Sequence, residues 1–304
     1  MKIAVVGAGA MGSLFGGLLA ESGADVWLLD IWTEHVKAIN ENGINIKRED
    51  KFRSVSVKAT TDPNRIGISD LVIIFVKSTN TSQAAKTAKF LMDDSSLILT
   101  LQNGMGNADT IAEVIESARI IAGTTSHGAT MLGPGSIRHA GIGPTTIGMW
   151  ADGGKDKVLY IAKFLTEAGI KTEAVDDIQS VIWNKLLVNV GINAITALTG
   201  IKNGQLLDLS ATQDISRAAV EEAMELARAQ GVMIRENSVG HVFEIAKATS
   251  PNRSSMGQDV DNKRLTEIEA INGFVVREAF KIGLNVPVNK TLTALIETLQ
   301  AYYD

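Results

Sequence analysis

A short apolar run rich in β-branched residues, Lys2–Val6, leads into Gly7-Ala8-Gly9-Ala10-Met11-Gly12, and an apolar stretch at helical spacing follows over residues 13–20. Strand, tight turn and helix in that order restrict the possible folds more than anything else in the chain. In Gly7-x-Gly9-x-x-Gly12 the first glycine permits the tight turn, the second lets backbone approach a pyrophosphate, and the third lets helix and strand pack closely. The helix start then offers its unsatisfied amides and partial positive charge to the phosphates. Asp30 lies eighteen positions beyond Gly12, at the end of a second strand over Asp25–Leu29. That is the spacing of a carboxylate that accepts hydrogen bonds from an adenosine ribose, although a strand-end aspartate can also simply cap the next helix. The turn residues Gly7, Ala8, Gly9, Ala10, Met11 and Gly12, with Asp30, are therefore expected to bind a dinucleotide.

Further apolar runs at 71–76, 97–101 and 119–122, separated by helical patterns, predict a parallel sheet covered on both faces. After residue 123, glycine, threonine, serine and histidine alternate with apolar residues through Gly133-Pro134-Gly135 and Gly141-Ile142-Gly143-Pro144, which reads as a few antiparallel strands finishing the same sheet. From residue 176 the pattern is almost wholly helical, with amphipathic stretches at 178–198, 211–230 and 262–281. A length of 304 residues is about two domains' worth. The expectation is an α/β chain with a Rossmann domain over 1–175 and an all-helical domain over 176–304. No internal repeat is present, and no apolar run long enough for a membrane span is expected.

Twenty-nine basic residues against thirty-four acidic ones give a formal charge of -5, with no basic block that would track a phosphate backbone, so nucleic acid is excluded as the expected partner. The absence of cysteine removes disulfides, thiolate catalysis and thiolate metal sites. His35, His127, His139 and His241 are scattered without paired spacing, so no metal is expected. The first residues read as a buried strand instead of a signal peptide, and a cytoplasmic location is the expectation.

The second half carries a polar constellation. Lys185, Asn189 and Asn193 fall at i, i+4 and i+8 among Trp183, Leu186, Leu187, Val188, Val190, Ile192 and Ile195. Four-residue steps place the three on nearly one helix face. Such a stripe is either solvated or lines a polar cleft, since burying these groups without partners costs several kcal/mol. Ser254-Ser255-Met256-Gly257-Gln258-Asp259 precedes what reads as a helix containing Thr266, Glu267, Ile268 and Asn272-Gly273. Singly, the serines read as a helix cap and Glu267 as a solvated charge. In the first half, Lys77 and Asn103 sit just past the C-terminal ends of expected parallel strands, where open α/β sheets place ligands.

Taken in order, Gly7-x-Gly9-x-x-Gly12, Val76-Lys77, Leu101-Gln102-Asn103-Gly104, Trp183-x-Lys185-Leu186 with Asn189 and Asn193, Ser254-Ser255-Met256-x-Gln258-Asp259, and Thr266-Glu267-Ile268 with Ile271-Asn272-Gly273 resemble the ketopantoate reductases, or 2-dehydropantoate 2-reductases, over essentially the whole chain. The resemblance implies a helical second domain of the 6-phosphogluconate dehydrogenase superfamily type, an active site in the cleft between domains, and NAD(P)H-dependent reduction of 2-dehydropantoate to (R)-pantoate on the way to pantothenate and coenzyme A. It also implies Lys185 as general acid and Glu267 as its supporting carboxylate. Asn103, Asn189, Asn193 and Ser255 would then hold the substrate, while Lys77, Asn103 and Glu267 would also lie at the cofactor.

Hydride arriving at C2 of a keto acid leaves an alkoxide, so a positioned proton donor is required, and a lysine ammonium supplies proton and charge together. The family suggests NADPH. Asp30-Ile31-Trp32, however, stands where NADPH users carry a basic residue, and a 2′-phosphate about 4 Å from Asp30 would cost on the order of 4 kcal/mol at an effective dielectric near 20. The residues therefore favour NADH. Two other readings stand beside this one: a related reductase of another small 2-keto acid, and a catalytically silent dinucleotide-binding module. The sequence leaves the assembly open between monomer and homodimer.

Overall fold

The structure is a computed structural model describing residues 1–303. By backbone proximity the described chain divides into two compact units, one of residues 1–102 with 107–178, the other of residues 103–106 with 179–303.

The first unit contains strands β1 (Lys2–Val6), β2 (Asp25–Leu29), β3 (Ile44–Arg48), β4 (Lys51–Val55), β5 (Lys58–Thr60), β6 (Leu71–Ile74), β7 (Leu97–Thr100), β8 (Ile120–Thr125), β9 (Gly128–Gly133), β10 (Ser136–Gly141), β11 (Thr145–Met149) and β12 (Thr172–Ala174). Its helices are α1 (Ala10–Glu21), α2 (Thr33–Asn42), α3 (Thr81–Phe90), α4 (Asn107–Ala112) and α5 (Lys155–Glu167). The main sheet runs β12-β11-β8-β7-β6-β1-β2-β5, and β5 through β8 with β1 and β2 are parallel. Within it, β5-β2-β1-β6-β7-β8 has the doubly wound order whose direction reverses between β1 and β6, the place where such sheets bind ligands. The central strands are buried on both faces: Ile3, Val5, Leu28, Ile73 and Leu99 are all inaccessible. This is why they read as unbroken apolar runs.

The antiparallel strands correct the sequence expectation. Only β11 joins the main sheet, antiparallel to β8, with β12 parallel beyond it. The hairpin β9–β10 pairs instead with β3 and β4 in a separate four-stranded sheet, β4-β3-β10-β9. Since β11 already occupies the free edge of β8, the hairpin finds its partner in β3, with Ile137 beside Ile46. The buried face of that sheet, Ile44, Ile46 and Ile137, belongs to the same core as Leu14, Phe15 and Leu19 of α1. Helix α1 thus has apolar neighbours on two sides, which explains its near-complete burial.

The second unit is helical: α6 (Ile178–Thr199), α7 (Ser210–Ala229), α8 (Ser238–Ala248), α9 (Ser255–Asp261), α10 (Asn272–Lys281) and α11 (Pro287–Ala301), with Ile178 itself grouped with the first unit. Trp183 of α6 is buried and meets Phe274 of α10 edge-on, with ring centroids 5.8 Å apart. Two expectations change here. Helix α6 is, among the described residues, long and apolar enough to cross a membrane, but it is mostly buried and reads as a core helix. The stretch 262–281 is not one helix. Helix α9 ends at Asp261, with Asn262 as its cap and Lys263 in the left-handed region (φ 51), where the Arg264 N–H reaches the Asp259 carbonyl and the Lys263 N–H that of Val260. That pair of bonds closes a helix. The chain then runs through Glu267 and a 3-10 turn, Ile268–Ala270, before α10 begins.

Candidate functional site

In the first unit the glycine turn joins β1 to α1. The Gly7 N–H donates to the Leu29 carbonyl (2.8 Å), tying the turn to the end of β2. Gly7 has φ +94, and a Cβ there would lie 2.8 Å from the Val76 amide nitrogen; a Cβ on Gly12 would lie 1.9 Å from the Gly7 carbonyl oxygen. Both positions demand glycine for close approach. Gly9 differs, for a Cβ there meets nothing within 4 Å. The space beside it lies at the start of α1, whose first turn holds Ala10 and Met11 and no acidic residue. Open room and a helix N-terminus whose own first turn carries no carboxylate fit a pyrophosphate.

The Asp30 carboxylate is held by backbone on both oxygens. Oδ2 accepts from the Ala8 N–H at 2.7 Å, and Oδ1 from the Trp32 N–H at 3.0 Å. Each oxygen retains capacity for a further hydrogen bond, as ribose recognition requires. Ile31 next to it is almost fully exposed (94%). Lys77 follows β6 as an exposed residue with extended backbone, capping a 3-10 turn. The loop that carries it is tied down by Gln102, whose Nε2 donates to the Val76 carbonyl and to Thr81 Oγ1, both at 2.8 Å.

In the second unit three expected residues converge although far apart in sequence. Lys185 Nζ, on α6, donates to Asn103 Oδ1 at 3.0 Å, and Asn103 Nδ2 donates to Glu267 Oε2 at 3.2 Å. One amide therefore bridges an ammonium and a carboxylate. The segment 103–106 is placed by close contact with the turn before α10: the Met105 N–H donates to the Ala270 carbonyl at 2.9 Å. Gly104, at φ +80, comes so near that an added Cβ would be 2.3 Å from the same oxygen. Burial draws the Lys185 pKa down to about 8, against a raising pull from the Glu267 carboxylate.

Asn189 is half-buried one turn beyond Lys185, and Asn193 is buried with its Nδ2 lacking a hydrogen-bond partner. Of the serine pair, Ser254 is the cap of α9: its Oγ accepts from the Gly257 N–H at 3.0 Å and lies 2.7 Å from Thr196 Oγ1 of α6. Ser255 is left exposed on the first turn. Sequence reasoning missed Asn203, which is buried with its Nδ2 bonded to Thr249 Oγ1 and its Oδ1 without a partner. Where Asn193 leaves a donor unpaired, Asn203 leaves an acceptor, as Asn272 Oδ1 does in the same unit; an Asn-Gly pair after a helix reads as an ordinary turn. Among the described residues no group of three or more histidine, aspartate or glutamate side chains could hold a metal ion.

This fold and turn define the class of Rossmann dinucleotide-binding proteins. Family comparison narrows it: residues 3–152 match the model described as ketopantoate reductase PanE/ApbA, and residues 177–300 match that of its C-terminal region. The chain belongs to the ketopantoate reductase family. It is 38% identical over 301 residues to the 2-dehydropantoate 2-reductase of Halobacterium salinarum, covering 99% of both chains. To that of Pyrococcus abyssi it is 36% identical over 303 residues, covering 99% of this chain and 98% of the other. Among solved structures it is similar to the PanE/ApbA family ketopantoate reductase of Ralstonia eutropha JMP134 (34% identity, TM-score 0.91, 99% of each chain). It is also similar to a ternary structure of D-mandelate dehydrogenase with NADH and anilino(oxo)acetate (29% identity, TM-score 0.93, 99% of each chain).

Proposed function

We propose that the protein is a 2-dehydropantoate 2-reductase in which Lys185 is the proton donor, Asn103 and Glu267 position and charge it, and the turn 7–12 with Asp30 binds the nicotinamide dinucleotide. The observation that carries the reading is the hydrogen-bonded chain from Lys185 through the Asn103 amide to Glu267. A silent dinucleotide-binding module has no use for a lysine brought to a pKa of about 8 beside a carboxylate. When bound, the reduced nicotinamide supplies a hydride to C2 of the keto acid. The Lys185 ammonium donates to the substrate oxygen as negative charge develops there, a contribution of roughly 10² to 10⁴ in rate. Glu267 favours the ammonium before transfer, and Asn103 fixes the direction of Nζ. Asn189, Asn193 and Ser255 offer polar groups to the substrate hydroxyl and carboxylate, and Lys77 a cation to the cofactor or the substrate.

The cofactor we assign is NADH. Asp30 is fixed where a 2′-phosphate would meet its charge, and Ile31 brings no cation. The D-mandelate dehydrogenase neighbour, whose structure contains NADH, supports that preference. The same neighbour favours a second reading, reduction of another 2-keto acid by the same residues. We place the enzyme in the cytoplasm, acting on a small-molecule substrate. Loss of nicotinamide absorbance with 2-dehydropantoate and with a panel of other 2-keto acids, each with NADH and NADPH, tests both points. Oxidation confined to 2-dehydropantoate is expected; faster oxidation with another keto acid selects the second reading.

A further inference from the structure

His35, on the first turn of α2, is 1% exposed, and each part of its ring meets a different element of the first unit. Its Nδ1 accepts from the Gly135 N–H at 2.9 Å, in the left-handed turn (φ +68) between β9 and β10. With Nδ1 as acceptor, the neutral ring carries its proton on Nε2. Nε2 therefore donates to Ser13 Oγ (3.2 Å), and the Ser13 hydroxyl donates onward to the Ala8 carbonyl (2.7 Å). The ring face stacks on Trp32, with centroids 5.2 Å apart and planes at 11°. Trp32 is the residue whose N–H holds Asp30 Oδ1, while the Ala8 N–H holds Oδ2. Ala8 is thus held on both sides, by Asp30 at its N–H and by Ser13 at its carbonyl.

We propose that neutral His35 is a positioning residue for the dinucleotide site, holding the glycine turn through Ser13 and the Asp30–Trp32 corner through its stacked face. The proposal rests on the reading that this turn binds a nicotinamide dinucleotide. A residue that only filled space would need neither polar contact, and a leucine would serve. Protonation breaks the arrangement, because a second proton on Nδ1 points at the Gly135 N–H, a donor against a donor. The groups facing the ring are the Asp30 carboxylate from the loop after β2, Ser13 from α1, the Ala8 carbonyl from the glycine turn, and the Gly135 amide from the hairpin. Burial lowers the imidazole pKa, against an opposing pull from Asp30, so the ring stays neutral at physiological pH and charges only on the acid side.

The test is equilibrium binding of NADH, and separately of NADPH, followed by nicotinamide fluorescence from about pH 5 to about pH 8. Wild type is compared with Ser13→Ala, His35→Leu and His35→Gln, and the folded state of each is confirmed by its unfolding transition. At neutral pH, Ser13→Ala and His35→Leu are expected to weaken dinucleotide binding about tenfold, the effect of one buried polar group left without its partner. The loss should appear in the cofactor KM and not in turnover at saturating cofactor. His35→Gln, whose amide can both donate and accept, should recover most of the affinity and lack the acid-side weakening shown by wild type. Ser13→Ala removes one oxygen from a helix that tolerates alanine, so it serves if His35→Leu fails to fold. Folded Ser13→Ala and His35→Leu proteins that bind as wild type does, or an acid limb unchanged in His35→Gln, would overturn the proposal alone. A wild type that binds neither dinucleotide would overturn the cofactor reading as well.

Discussion

Lys185 stands between two opposing influences, burial that expels its charge and a carboxylate that retains it, and its pKa of about 8 is their balance. Keto-acid reduction requires the ammonium, so kcat should fall as pH rises through about 8, while the reverse oxidation, which requires the neutral amine, should rise over the same range. Glu267→Gln removes the raising influence and should move the midpoint of that profile to lower pH; a midpoint that stays or rises would detach Glu267 from Lys185. Lys185→Ala should reduce turnover at least about 10²-fold, with the NADH dissociation constant nearly unaltered by direct titration. At the other end of the cofactor, Asp30→Ala should raise the efficiency with NADPH relative to NADH. An unmoved ratio would leave Asp30 the purely structural task of holding the Ala8 and Trp32 amides.

At the scale of elements, the glycine turn with its flanking strand and helix was legible in the sequence because every constraint on it is local: the glycines, the β-branched run and the helical spacing lie within twenty residues. The three polar residues of α6 were legible for the same reason. The second sheet was not. Its pairing of β3 with β10 joins residues about ninety apart, and nothing in 44–48 announces a partner that distant. The break between α9 and α10 was hidden as well, since helical periodicity runs through 262–281 while Lys263 ends the helix in a conformation that side chains disfavour. Lys263→Gly should therefore stabilise the protein by about 0.5–1 kcal/mol, read as a higher urea midpoint. Gly104→Ala acts in the opposite sense. Its φ of +80 and the nearby Ala270 oxygen predict a loss of about 1–3 kcal/mol, together with reduced turnover as Asn103 shifts.

At the scale of the whole molecule, the functional reading divides between the two units: the glycine turn and Asp30 belong to one, and Lys185, Asn103 and Glu267 to the other. Saturation with NADH at about one hundred times its dissociation constant adds about 2.7 kcal/mol to the stability of whatever folds around it. Calorimetry should show that gain in the transition of the unit carrying the glycine turn. Residues 103–106 belong by contact to the C-terminal unit although they lie within the N-terminal half of the sequence. On the ribosome this becomes a matter of timing. Asn103 leaves the peptidyl-transferase centre 164 residues before Glu267, an interval of about 8–30 s at ordinary elongation rates. Every nascent molecule passes through that interval with the amide of Asn103 made and its carboxylate partner not yet synthesised. A chain released by premature termination within it carries the glycine turn and Asp30 but not the bridge from lysine to carboxylate.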